Sequence, residues 1–141
     1  AFKHPKPNNF IRSAEKVSGL ELDWYLLDWA QSTMTIDYAI NSVVDNQSTT
    51  TVNLQRVGQM GMPIDLKVEL KSGEVLLYNI PMTKMRGAKP VENMSLLDSW
   101  SWAKPYYSFE LEVKKSAVSK IVIDPSGEMA DVNRDNNSLA F

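Results

Sequence analysis

The chain contains no cysteine, so no disulfide staples it and no thiolate can hold a metal ion. That absence leaves the compartment open, because exported bacterial proteins often lack cysteine too. Histidine is nearly absent as well, with His4 the single example. No HExxH can therefore be written, which excludes the two-histidine zinc site of a metallopeptidase. A Ser-His-Asp arrangement would have to draw on His4, and no GxSxG elbow exists. Neither GxxxxGK nor GxGxxG occurs, so phosphate cradles are not indicated. Charge of one sign is also missing. Fifteen basic and 17 acidic residues give −2, which leaves no electrostatic footprint for nucleic acid. No apolar run approaches the roughly 20 residues needed to span a bilayer, and no basic amphipathic helix suits a membrane surface. A signal peptide is not apparent. The first residue is Ala1, and the expectation is a soluble piece of a larger protein, with export to the periplasm or cell surface of a bacterium left open.

What the chain does have is one domain's length, 141 residues, and 43% hydrophobic composition. Its most apolar stretch is Leu20 to Trp29 (LELDWYLLDW). As a helix it places Leu22, Tyr25, Leu26 and Trp29 on one face at i, i+3, i+4 and i+7. Leu20, Trp24 and Leu27 make a second apolar face, and Glu21, Asp28 and Ser32 a narrow polar stripe. A helix apolar nearly all round is normally buried. One sheet covers only one side of it, so Leu20, Trp24 and Leu27 are the expected packing face for a domain outside this chain. In the isolated chain that face is expected to be exposed, or covered by a second copy in a dimer.

The remaining pattern is that of strands. Residues 1 to 9 (AFKHPKPNN) read as an extended lead-in, and Asn8 or Asn9 can cap a short helix over Phe10 to Val17 that stops at Gly19. The apolar helix then runs to about Ser32. Beyond it the period changes from 3.6 to 2. Ile36, Tyr38 and Ile40 alternate with Asp37 and Asn41, and a strand carries Val52 and Leu54. In DLKVELK, Leu66, Val68 and Leu70 face away from Lys67 and Glu69, Ser72-Gly73 signals a hairpin, and Glu74 to Ile80 returns. Met82 to Ser99, broken by Gly87 and Pro90, reads as a long loop with a short strand. Tyr107, Phe109, Leu111 and Val113 alternate again, and Val118 to Ile123 ends in the turn Asp124-Pro125-Ser126-Gly127. These short, closely spaced strands predict an antiparallel immunoglobulin-like β-sandwich of about seven strands after two short helices.

Candidate chemistry is sparse. Asp23 and Asp28 stand five apart, poorly aligned for a shared site, and read as solvated or capping charges. Asp131 to Asp135 begins like a calcium loop, but position 136 is Asn rather than Gly, so a tight polar turn is expected. Met60, Met62, Met82 and Met85 read as gap fillers around Pro63 and Pro81. The strongest binding candidate is aromatic. Trp100 and Trp102, at i and i+2, would share one face of an extended segment with Tyr106 and Tyr107 nearby, as a sugar-stacking or peptide-docking platform requires. The competing reading is that the tryptophans plug one end of the sandwich.

The order of segments resembles the region that follows the active site in M1-family zinc metallopeptidases, the aminopeptidase N-like enzymes. The residues that carry it are Phe10-Ile11-Arg12 to Ser18-Gly19, Leu22-Asp23-Trp24-Tyr25, Trp29, Val52 to Gln55, Met62-Pro63-Ile64 and Lys71-Ser72-Gly73-Glu74. Trp100 to Pro105, Ile123-Asp124-Pro125 and Ala130-Asp131-Val132-Asn133-Arg134 to Asn136-Asn137 complete it. The resemblance is closest to the larger bacterial members. It implies that residues 1–34 close a helical catalytic domain and that residues 35–141 form a β-sandwich packed behind it. It also implies a parent enzyme that removes amino-terminal residues from peptides with one zinc ion, held upstream of Ala1. The zinc-binding HExxH, its distal glutamate, the GxMEN loop and the transition-state tyrosine have no counterparts here, so no catalytic or metal role falls on any residue of this chain. Where many relatives have a Gly-x-Pro step after the domain-ending tryptophan, this chain has Ser32 to Ile36. The expected role is that of an accessory region whose partner is the upstream catalytic domain, with no cofactor of its own. The alternative is a carbohydrate- or peptide-binding module built on Trp100, Trp102 and Tyr106.

Overall fold

Two hairpins lie at the heart of two sheets in the computed structural model, which describes residues 4–88 and 92–141. The first hairpin joins Tyr38–Asp45 (β1) to Thr50–Arg56 (β2), and the second joins Ile64–Leu70 (β3) to Val75–Ile80 (β4). Four further strands follow: Ser95–Leu96 (β5), Tyr106–Leu111 (β6), Val118–Ile123 (β7) and Ser138–Ala140 (β8). β6 crosses back to pair with β2, giving a three-stranded sheet in the order β1-β2-β6. The other sheet has the order β5-β4-β3-β7-β8, antiparallel except for the β4–β5 pair.

Alternation explains why these strands pair as they do. In β3, Leu66 and Val68 are fully buried while Lys67 and Glu69 point outward and form an ion pair at 2.7 Å. Lys67 holds the Glu69 carboxyl below its usual range, first through their hydrogen bond. Ser72-Gly73 closes the hairpin as its composition predicts. Gly73 sits at φ +90, a region closed to most side chains, and its N–H reaches the Leu70 carbonyl at 3.0 Å. Val52 and Leu54 of β2, Phe109 and Leu111 of β6, and Ile121 and Ile123 of β7 join the β3 residues in one core drawn from both sheets. Tyr78 of β4 meets Phe109 across the two sheets, ring centroids 5.6 Å apart. The chain is thus mainly β, with eight strands in two sheets among the described residues.

Two helices precede the sheets, Pro7–Ser18 (α1) and Asp23–Ala30 (α2). α1 begins earlier than its asparagines suggest. Lys6 holds the N-cap position, Pro7 supplies the fixed φ of the first turn, and Asn9 reaches back to accept the Lys6 N–H at 2.8 Å. Gly19 ends the helix in the left-handed region, as expected. α2 is shorter than the apolar run, because Leu20 to Leu22 is spent on tethers rather than on a helical turn. The Glu21 N–H donates to the Met85 carbonyl at 3.1 Å, and the Leu22 N–H to the Glu15 carboxylate at 2.8 Å.

A knot of polar contacts links the first strand to the end of the chain. Asp131 accepts the Tyr38 N–H at 2.9 Å, the Asn133 N–H at 2.8 Å and the Asn137 amide at 3.2 Å. Beside it, Gly58 lies so close to the 35–37 backbone that a Cβ there would stand 2.4 Å from the Thr35 carbonyl oxygen. The Asp131 to Asp135 segment is therefore the expected polar turn, its first carboxylate already committed to backbone and amide donors. Asp135 itself lies in a single 3-10 turn, Arg134–Asn136.

Candidate functional site

The aromatic platform suggested by the Trp-Ser-Trp spacing does not form, because the segment is not extended. Ser101 to Lys104 make a turn, with the Lys104 N–H donating to the Ser101 carbonyl at 3.0 Å. The turn sends the two tryptophans to different places. Trp100 is 5% exposed and packs between Tyr38, 5.4 Å away edge-on, and Tyr107, 5.2 Å away and tilted. Its indole N–H donates to the Lys104 carbonyl at 2.8 Å, which fastens the base of the turn. Tyr107 is also drawn inward. Its hydroxyl donates to the Asp98 carbonyl at 2.8 Å, and burial, then the Asp98 charge, pushes its pKa up to about 12. Trp102 and Tyr106 remain exposed. Trp100 belongs to the core and Tyr107 packs against it half-buried, whereas Trp102, which the plug reading paired with Trp100, does not.

The second apolar face of α2 is divided in the same way. Trp24, on the face predicted to be free, is buried against Met82 and Met85, with Leu20, Leu22 and Met62 around them. Its indole N–H donates to the Glu21 carbonyl at 2.7 Å. Leu20 is half-buried beside it, while Leu27 is 55% exposed. Asp28, one turn after Trp24, is buried rather than part of a solvated stripe. Tyr25 and Trp29, which the first face would have hidden, are exposed and touch each other at 5.8 Å. The methionines behave as gap fillers, and Met62 contacts both clusters. His4 is exposed. Pro90, one of the predicted breakers of the long loop, lies outside the described residues.

Trp102 nevertheless borders a cavity of about 360 Å³ lined by Glu21, Asp23, Trp24, Thr83, Lys84, Arg86 and Trp102. Three segments meet there, and each is fixed to the next. Met82 bridges Trp100 in parallel register, with the Trp100 N–H on the Pro81 carbonyl at 2.8 Å and the Thr83 N–H on the Trp100 carbonyl at 3.2 Å. Met85 receives the Glu21 N–H and so holds the start of α2. Arg56 donates to the Trp102 carbonyl with one guanidinium nitrogen and to the Gln59 carbonyl, at 2.7 Å, with the other. Within the cleft the Lys84 ammonium stands 4.7 Å from the Trp102 ring centroid, a cation–π contact. Arg86 pairs with Glu21 at 3.1 Å, and its backbone adopts φ 47, uncommon for a residue with a side chain. Both partners are well exposed, so the pair orients the wall more than it stabilises the fold.

Of these lining residues the sequence had singled out Trp102 as a binding residue and Trp24 as a packing one. Lys84, Arg86 and Thr83 carried no signal, because the long loop around them shows no periodicity and its contacts are non-local, to Trp100 and Trp102 on one side and to the distant Glu21 on the other. Among the described residues no group of three or more His, Asp or Glu side chains is placed to hold a metal ion. No described helix is long and apolar enough to cross a membrane. No family model matches the sequence, and no curated protein or solved structure matches it either.

Proposed function

We propose that the chain is a non-catalytic accessory region of an M1-family zinc metallopeptidase of the aminopeptidase N type. In this reading residues 1–34 complete the helical catalytic domain, and residues 35–141 are an immunoglobulin-like sandwich that buttresses it. The strand order supports the finer fold: β1-β2-β6 opposite β4-β3-β7-β8 is a Greek-key arrangement of the kind immunoglobulin-like domains share. The observation that carries the functional reading is the apolar surface α2 leaves uncovered, with Tyr25 and Trp29 on one side of the helix and Leu27 roughly 160° round from them. On a helix of eight residues, Tyr25, Leu27 and Trp29 are 40%, 55% and 42% exposed, and Phe10 and Val17 of α1 are more exposed still. Tyr25 and Trp29 touch each other rather than standing singly, as large apolar side chains do on a surface that another body covers.

The experiment is a docking titration between this chain and the domain encoded directly upstream of Ala1, produced separately. Leu27→Asp with Trp29→Asp should weaken docking by about tenfold or more while lowering Tm by only a few degrees, since neither side chain belongs to a buried cluster. Docking that ignores the double substitution, or an upstream domain that never binds, overturns the proposal.

A further inference from the structure

We infer that the cleft between α2, the 83–86 turn and the Trp102 turn is a binding site for a neutral saccharide, independent of the docking face. The cleft's lining holds two acids, Glu21 and Asp23, and two bases, Lys84 and Arg86, so it has no net charge. An anion entering it meets two carboxylates, and a cation meets an ammonium and a guanidinium. A polyol meets neither conflict, because each hydroxyl both donates and accepts. Glu21 and Asp23 accept, Lys84 and Arg86 donate, and the Thr83 hydroxyl does either.

The Glu21–Arg86 pair suits this task further. The Glu21 carboxylate and the Arg86 guanidinium, 3.1 Å apart at the rim, present planar, directional groups to neighbouring hydroxyls. Trp102 supplies the apolar wall. It is 54% exposed, yet its turn is pinned by Arg56, by the Trp100 indole and by the parallel bridge behind Thr83. The Lys84 ammonium lies over this ring, so stacking on the C–H face of a sugar requires the flexible Lys84 side chain to swing aside, where it can donate to a hydroxyl. The cavity, about 360 Å³, lies within the roughly 300–1,000 Å³ typical of small-ligand sites.

The test titrates the 141-residue chain with cellohexaose, maltohexaose, xylohexaose, laminarihexaose and chitohexaose. The readout is the set of indole N–H signals in a proton–nitrogen correlation spectrum, with Trp102 identified by the signal lost in Trp102→Phe. The chain has four tryptophans, so the other three report whether the fold is intact. At least one hexasaccharide should shift the Trp102 signal saturably, with an affinity that salt does not change. Trp102→Ala and the isosteric Asp23→Asn should each lower that affinity by about tenfold. A silent Trp102 signal with all five sugars overturns the inference. So does binding that survives both substitutions, or saturation only by a charged probe such as polygalacturonate or spermine, or by tetra-alanine.

Discussion

Replacing Tyr38 by Phe tests the way the sheets are tied to the loop that leads into β3. The ring stays, buried and edge-on to Trp100, and only the hydroxyl goes. That hydroxyl accepts the Met62 N–H at 2.8 Å and donates to the Met62 carbonyl at 3.1 Å. Its loss strands two backbone groups where water has little access, which costs about 1–3 kcal/mol at neutral pH. A second, pH-dependent effect has the opposite sign. Burial, the largest cause, pushes the Tyr38 pKa from 10 up to about 12. Asp131 adds to this, and the Met62 bond and Arg56 oppose it. A pKa raised on folding means that this group's contribution is fully present below pH 10 and is lost as pH rises through 12. Two units at 1.36 kcal/mol each set a ceiling near 3 kcal/mol, of which about half is lost by pH 11. The Phe variant has no such group to lose. Urea unfolding followed by tryptophan fluorescence at about pH 8 and about pH 11 should therefore show the gap between the proteins shrinking by about 1 kcal/mol. The Tyr107 hydroxyl is present in both proteins and cancels. Parallel curves, with the same gap at both pH values, would refute the account of Tyr38 as a buried, doubly bonded phenol.

Two further substitutions probe the packing. Gly58→Ala would place a methyl 2.4 Å from the Thr35 carbonyl oxygen and 2.6 Å from the Asp37 nitrogen, so backbone must move and about 3 kcal/mol of stability should disappear. Gly61→Ala, which meets only the flexible Met82 sulfur at 3.0 Å, is the control, and equal urea midpoints for the two would contradict this reading. Trp24→Ala empties the centre of the methionine cluster and should cost about 3 kcal/mol, whereas Leu27→Asp should stay within about 0.5 kcal/mol. Thermal unfolding separates them, and a stable Trp24→Ala protein would show that α2 is not held by that side chain.

The strands were legible because period 2 is a local property. Leu66, Val68 and Leu70, the Ser72-Gly73 turn and the β7 run all stand where alternation and turn chemistry put them. The extension of β1 through Val43 and Val44 was not legible, because the register shift between Ile40 and Ser42 breaks the alternation midway. β8 is three exposed residues whose place is set by pairing with β7, a partner some 18 positions away. The same limit governs the candidate site. Residues i and i+2 share a face only while the backbone stays extended, so one turn at Ser101 to Lys104 was enough to separate Trp100 from Trp102. Which face of α2 is covered depends on Met82 and Met85, and nothing near Trp24 in the chain announces them.

The placement of α2 follows from its length. Isolated helices shorter than about 12–15 residues are marginal in water, so eight residues with three large apolar side chains exposed would not persist unaided. What holds α2 is its rear: Trp24 among the methionines, the Glu21 N–H on Met85 and the Leu22 N–H on Glu15. These contacts leave Tyr25, Leu27 and Trp29 fixed in position before any partner arrives, and Tyr25 and Trp29 already lie against each other. Association then has little backbone left to order, and that ordering is a main cost of binding for a flexible segment. Tethering on one side and exposure on the other are therefore one arrangement. The contacts that bury Trp24 are the reason Tyr25 and Trp29, turned roughly 100–140° away from it on the helix, can act as a preformed surface.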